Sequence, residues 1–103
     1  MKKRINQINL PLFKDTNIVR WALLFQGKVK RVAFRNEALL LANRLTLSGY
    51  VKNIKTGVFI EVEGPLDKLE YFLSHLLSVE RFIISSYQKD DINIVYDERF
   101  IIK

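Results

Sequence analysis

Residues 18–26 read IVRWALLFQ and residues 27–35 read GKVKRVAFR, and the change of character between these two blocks decides the fold. In the first, Val19, Trp21, Leu23 and Phe25 share one face while Ile18, Ala22 and Leu24 leave the other largely apolar, as a central strand covered on both sides requires. The second block is short, basic and opened by glycine. After it Phe34, Ala38, Leu41, Ala42 and Leu45 recur at helical spacing, which predicts a helix of about three turns. That helix is expected to end near Ser48-Gly49, because glycine suits the left-handed C-terminal position. Tyr50 to Ile54 and Val58 to Glu63 then alternate as two strands around Lys55-Thr56-Gly57, a tight hairpin turn. Gly64-Pro65 opens a second amphipathic helix marked by Leu66, Leu69, Phe72, Leu73, Leu76 and Leu77, with Asp67 and Glu70 at its positive end. Arg81 to Tyr87 and Ile92 to Tyr96 read as strands, and Phe100-Ile101-Ile102 as a short terminal one. The order β-α-β-β-α-β plus a C-terminal strand predicts an α+β, ferredoxin-like split βαβ sandwich, with two helices on one face of an antiparallel sheet. Upstream, residues 1–15 are polar, hold Pro11 and run into Lys14-Asp15-Thr16-Asn17 without a steady period. They read as a loose N-terminal extension to a single domain at 16–103.

Composition narrows the function. At 103 residues, 49% of them hydrophobic, the chain has enough apolar surface for one core. The absence of cysteine excludes a disulfide framework, a thiolate nucleophile and a cysteine-held metal. Met1 to Arg4 is basic, but Ile5 to Leu12 is broken by Asn, Gln and Pro and lacks the apolar centre of a signal peptide. With no later run long enough to span a membrane, a soluble cytoplasmic protein is expected. Lys and Arg number 17 against 11 Asp and Glu, a net charge of +6, which favours anionic partners, nucleic acid and phosphorylated metabolites alike. The positive charge crowds at Lys2, Lys3 and Arg4, and again at Lys28, Lys30, Arg31 and Arg35.

The topology gives the second cluster a neighbour. The first two strands of such a sheet run parallel and flank the third, so their C-terminal ends emerge at one edge, bringing the loop Gly27 to Ala33 near Asn53. That loop opens a helix, and its amides from Lys28 through Val29, Lys30, Arg31, Val32, Ala33 and Phe34 make a natural anion cradle. Arg35 can add a planar, bidentate grip on a phosphate.

These residues resemble a known family. Gly27-Lys28-Val29-Lys30-Arg31-Val32-Ala33-Phe34-Arg35 is similar to the acylphosphatase signature G-x-V-Q-G-V-x-F-R, and Gly49-Tyr50-Val51-Lys52-Asn53 matches its second signature, G-x-V-x-N. Gly57-Val58, Glu63-Gly64 and the ending Phe100-Ile101-Ile102 extend the resemblance over about residues 18–103. It implies hydrolysis of the carboxyl–phosphate bond of small acyl phosphates, with no metal and no other cofactor, and with inorganic phosphate or sulfate as a ligand of the same site. It also implies the division of labour: Arg35 binds the phosphate with the loop amides, and Asn53 orients the attacking water. A carboxylate is already a good leaving group and phosphoryl-transfer transition states are loose, so positioning and charge stabilisation can dominate.

Two features keep other readings open. Lys30-Arg31 stands where the family has Gln-Gly, and a non-glycine residue forced to positive φ costs about 1–2 kcal/mol. The alternative is therefore a catalytically weak or inactive domain that keeps the anion site. Arg35 also reads as a surface arginine at a helix start, and Asn53 as a stabiliser of the hairpin turn. RNA-recognition modules share this topology, but the third strand here carries Glu61 and Glu63 in place of their aromatics, which argues against nucleic acid. His75 is expected to face solvent without a role. Trp21, Phe25, Phe34, Phe72 and Phe82 are expected in the core.

Overall fold

In the computed structural model, which describes residues 10–29 and 31–103, seven elements follow one another. They are β1 (Ile18–Lys28), α1 (Arg31–Arg44), β2 (Ser48–Ile54), β3 (Gly57–Pro65), α2 (Leu66–Ser78), β4 (Ile83–Ile92) and β5 (Phe100–Ile102). The strands lie in the order β4-β1-β3-β2-β5. Alternation sends Trp21, Leu23 and Phe25 of β1, Val51 of β2, and Val58, Ile60 and Val62 of β3 to one face. There they pack against Phe34, Ala38, Leu41 and Ala42 of α1 and Leu69, Phe72, Leu73 and Leu76 of α2. Phe25, Phe34 and Phe72 are wholly buried, each contributing about 1.5–3 kcal/mol of transfer free energy. The ferredoxin-like α+β arrangement read from the sequence is the one observed, with one difference. β5 runs parallel to β2, so the five-stranded sheet is mixed rather than antiparallel throughout. β4 and β5 occupy opposite edges, and the chain between them crosses the helix-free face to enter β5 in the direction of β2.

That crossing explains a second difference. Ile92 to Tyr96 is not a separate strand: one strand, β4, runs from Ile83 to Ile92, and residues 93–99 form an irregular strap. Glu63, pointing from β3 to the helix-free face, accepts the Val95 amide at 2.8 Å and the Tyr96 amide at 3.0 Å. Tyr96 adopts φ 64°, outside any strand conformation. Beneath the strap lies Arg20, only 2% exposed. Its guanidinium donates to Glu61 (3.0 Å), Glu63 (2.9 Å) and Asp97 (2.7 Å). Tyr50 adds a bond from its hydroxyl to Glu61 at 2.9 Å. The acids of the third strand are thus paired with a buried arginine.

α1 stops earlier than expected, and not on a glycine. Leu47 N–H donates to Ala42 O and Thr46 N–H to Asn43 O, at 2.8 and 3.2 Å, which is the Schellman closure with Thr46 in the left-handed position at φ 55°. Gly49 lies instead inside β2, at φ 126°, where a Cβ would fall on the carbonyl oxygen of Glu61. Gly49→Ala is therefore expected to destabilise the protein by about 2–4 kcal/mol, read as a lower urea midpoint at unchanged slope. A loss under about 0.5 kcal/mol would show that β3 gives way.

Pro65 is the residue before α2 rather than part of its first turn, and the Leu66 amide donates to Asn17 O at 3.0 Å. Upstream of β1, the Lys14 and Asp15 amides donate to Asp67 Oδ2 at 2.9 and 3.1 Å, and Phe13 meets Tyr71 edge-on at 5.8 Å. Lys2, Lys3 and Arg4 lie outside the described residues. His75 does not simply face solvent: its Nε2 is 2.8 Å from Glu37 Oε2, so it joins α2 to α1. Glu37 also meets Arg81 at 3.3 Å.

Candidate functional site

The site residues named by the sequence gather where β1 and β2 end. At Gly27 the pairing of β1 with β4 shifts register. Its φ is 144°, and a Cβ would fall on the Ile83 carbonyl oxygen, so only glycine fits this bulge. β1 continues through Lys28 and α1 begins at Arg31. The connection is thus shorter than the Gly27–Ala33 segment expected, because Arg31, Val32 and Ala33 already have helical backbone. Arg35 consequently sits in the second turn. The strain feared at Arg31 does not arise: among the described residues the non-glycine positions with positive φ are Thr46 and Tyr96. Lys30 lies outside the described residues.

A helix start leaves its first amides without intrahelical partners and carries partial positive charge. α1 has no acidic residue in its first turn to offset that charge, whereas α2 has Asp67. Around the α1 start, Lys28, Arg31 and Val32 are exposed, Val29, Ala33 and Arg35 are half-buried, and Phe34 is fully buried. The Phe34 ring packs 5.1 Å from Phe25 and 4.9 Å from Phe82. Phe34 can therefore offer an anion only its amide, while its ring fixes how α1 is rotated over the sheet. Arg35 Nε is buried with no hydrogen-bond partner among the described residues. A buried donor left unpaired costs about 1–3 kcal/mol, and an anion held at the helix start is the kind of partner that would relieve it.

Asn53 is placed by strand register. It pairs with Val58, and Val58 with Phe25, so a row runs from the ring under Phe34, across three strands, to the asparagine. Two strand spacings put the Asn53 backbone about 10 Å from that of Phe25. Asn53 shares the helix-bearing face with Val51, but lies past the core and is exposed. One bond closes this end of the molecule: Arg31 Nη1 donates to Ile54 O at 2.8 Å. The sequence reading placed Arg31 in the anion cradle and missed this contact, which joins residues 23 apart and has no local signature. Among the described residues, no three His, Asp or Glu side chains are grouped to hold a metal ion. A depression of about 970 Å³ between α2 and β4, walled by Trp21, Leu73, Leu77, Lys89 and Ile92, shares no residue with this end.

Comparison with known proteins agrees with this fold. The family model described as Acylphosphatase matches residues 21–102. An acylphosphatase of Thermus thermophilus is 43% identical over 58 residues, a stretch covering 55% of this chain and 66% of that one, just under two thirds of the relative's length. The structure of an acylphosphatase from Coxiella burnetii superposes with a TM-score of 0.78 over 84% of this chain and 94% of its own, at 24% identity, and shares the fold. Full-length HypF in a phosphate- and nucleotide-bound form superposes with a TM-score of 0.80 and 26% identity, over 84% of this chain and 12% of that protein. No helix among the described residues is long and apolar enough to cross a membrane. With the sheet order, the two glycine-anchored signatures and the match over residues 21–102 in agreement, the chain belongs to the acylphosphatase family.

Proposed function

We propose that the chain hydrolyses acyl phosphates to a carboxylate and inorganic phosphate, without a metal, at the end of the sheet formed by α1 and β2. The observation carrying this reading is Arg35, whose buried Nε has no partner among the described residues, beside a helix start whose first turn holds no acidic residue. The phosphoryl oxygens sit on the first-turn amides of α1 and on the Arg35 guanidinium, a planar donor fork matched to them. The Asn53 carboxamide holds a water in line with the carboxylate to be expelled. As the P–O bond to the acyl group breaks, the water oxygen bonds to phosphorus and its proton passes to a phosphoryl oxygen. The carboxylate leaves with its electron pair and needs no general acid, so positioning and charge stabilisation supply the acceleration. Full-length HypF, 12% of which superposes on this chain, is described in a phosphate- and nucleotide-bound form, and phosphate is the kind of ligand this reading requires.

Benzoyl phosphate and the purified chain test the reading. Wild-type protein is expected to turn it over, and Asn53→Ala to lose about 10²-fold in kcat with KM within about threefold, since water placement matters only on the way to the transition state. Wild-type hydrolysis no faster than the spontaneous reaction would refute catalysis. If added phosphate then still raised the unfolding temperature, the chain would be an anion-binding member without turnover.

A further inference from the structure

The residue that departs from the family signature is also the one that links the two halves of the site. Glycine occupies the signature position where this chain has Arg31, and glycine has no side chain with which to reach a neighbour. Here the backbone is helical at that position, so glycine's conformational freedom is not needed and the side chain is free to act. Among the described residues it makes one bond, from Nη1 to the carbonyl oxygen of Ile54 at 2.8 Å. Ile54 directly follows Asn53 and pairs with Gly57 to close the β2–β3 turn. β5 is registered against β2 only from Gly49 to Val51, with the Lys103 amide adding a bond to Val51 O. From Lys52 to Ile54, therefore, β2 has β3 on one side and, among the described residues, no strand on the other. The strand end bearing Asn53 is held by its hairpin and by Arg31.

We infer that Arg31 is a positioning residue, one that sets the distance between the α1 anion cradle with Arg35 and the Asn53 carboxamide by tying the start of α1 to the backbone beside Asn53. This rests on the reading of Arg35 and Asn53 as the hydrolytic pair. The physical case is one of proportion. An exposed single bond contributes little to folding, but a reaction driven by positioning is sensitive to small displacements, a shift of about 1 Å costing about 10²-fold. Arg31 is thus a residue whose loss is felt in kcat far more than in stability.

The test uses Arg31→Met and Arg31→Lys in the full chain, with benzoyl phosphate as substrate and inorganic phosphate as competing ligand. Arg31→Met is expected to lower kcat about tenfold while KM and the inhibition constant of phosphate change less than about twofold. Arg31→Lys, which keeps one donor able to reach Ile54 O, should recover part of the loss. In an Asn53→Ala background, Arg31→Met should change kcat by less than about twofold, because the group it positions is gone. Backbone order parameters provide a readout independent of turnover: those of Asn53 to Thr56 should fall from about 0.85 towards 0.6 in Arg31→Met. Two results overturn the inference: a rise in KM and in the phosphate inhibition constant that multiplies with Asn53→Ala, which marks Arg31 as a phosphate ligand, or unchanged order parameters. Absence of wild-type turnover instead defeats the hydrolase reading, and the order parameters then decide alone whether Arg31 fixes the strand end.

Discussion

Arg35→Met is expected to lower kcat/KM for an acyl phosphate by about 10³-fold or more while leaving the folded protein as stable as before, or up to about 1 kcal/mol more stable. The two halves have one cause. The guanidinium presents a buried N–H with no partner among the described residues, an arrangement that burdens folding and that a bound anion would relieve. Methionine fills the space of the stem without the stranded donor. Arg35→Lys is expected to recover little activity, since an ammonium is a point charge and cannot reproduce the planar fork. Thermal unfolding with and without inorganic phosphate separates binding from chemistry. The wild-type midpoint should rise with phosphate concentration, and that of Arg35→Met should scarcely move. An Arg35→Met protein that still gained stability from phosphate would place the anion site elsewhere.

The second large effect lies on the opposite face of the sheet and concerns stability alone. Arg20→Met removes the buried cation that pairs with Glu61, Glu63 and Asp97, at a position 2% exposed. Breaking a buried pair from one side leaves uncompensated charge and typically costs about 3–5 kcal/mol. That is a large share of a small domain's stability, and the unfolding temperature should fall by more than about 10 °C. A double variant, Arg20→Met with Glu63→Met, should recover only part of this, since Glu63 also receives the strap amides. The cluster also sets an acid limit. Burial by itself would push the Asp97 carboxyl up, but the hydrogen bond from Arg20, its own amide and the charges of Arg20 and Lys103 outweigh that and hold it below its ordinary value near 3.8. The folded state therefore binds this proton less readily than the unfolded chain does. The contribution is complete above pH 3.8 and is lost as the pH falls through the lower folded value. Asp97→Asn should be less stable than wild type at pH 6 and close the gap in stronger acid. Curves that stay parallel to low pH would show that Asp97 does not set the limit.

What the sequence made legible follows from how local each signal is. β1, β2, β3 and α2 were readable because Trp21, Leu23 and Phe25, then Val58, Ile60 and Val62, then Leu69, Phe72, Leu73 and Leu76 repeat with the periods of their elements. The two ends of the site were readable because the topology alone carries the α1 start and Asn53 to one edge. Where the reading failed, a distant partner had overridden the local pattern. Ile92, Ile94 and Tyr96 alternate as a strand would, yet Glu63, more than thirty residues away, captures the Val95 and Tyr96 amides and bends the chain. Gly49 was read as a helix terminator, but its glycine is demanded by Glu61 across the β2–β3 pair, while Thr46 takes the terminating role that propensity alone would deny it. His75 has no telling neighbour in sequence, since its partner Glu37 lies on the other helix. Arg20 drew no expectation from the sequence, because the strap that covers it and Glu61, Glu63 and Asp97 that pair with it lie more than forty residues away.

The strap between β4 and β5 has no regular structure, yet it is pinned at several points. Raising it would strip Glu63 of two donors and Arg20 of Asp97, and each of those bonds has a charged partner, the stronger kind of hydrogen bond. Opening of the strap therefore carries a free-energy cost of its own, and deuterium uptake at the Val95 and Tyr96 amides should be slower than at an untethered surface loop. A stretch that looks like a connector is thereby fastened to the middle of the sheet.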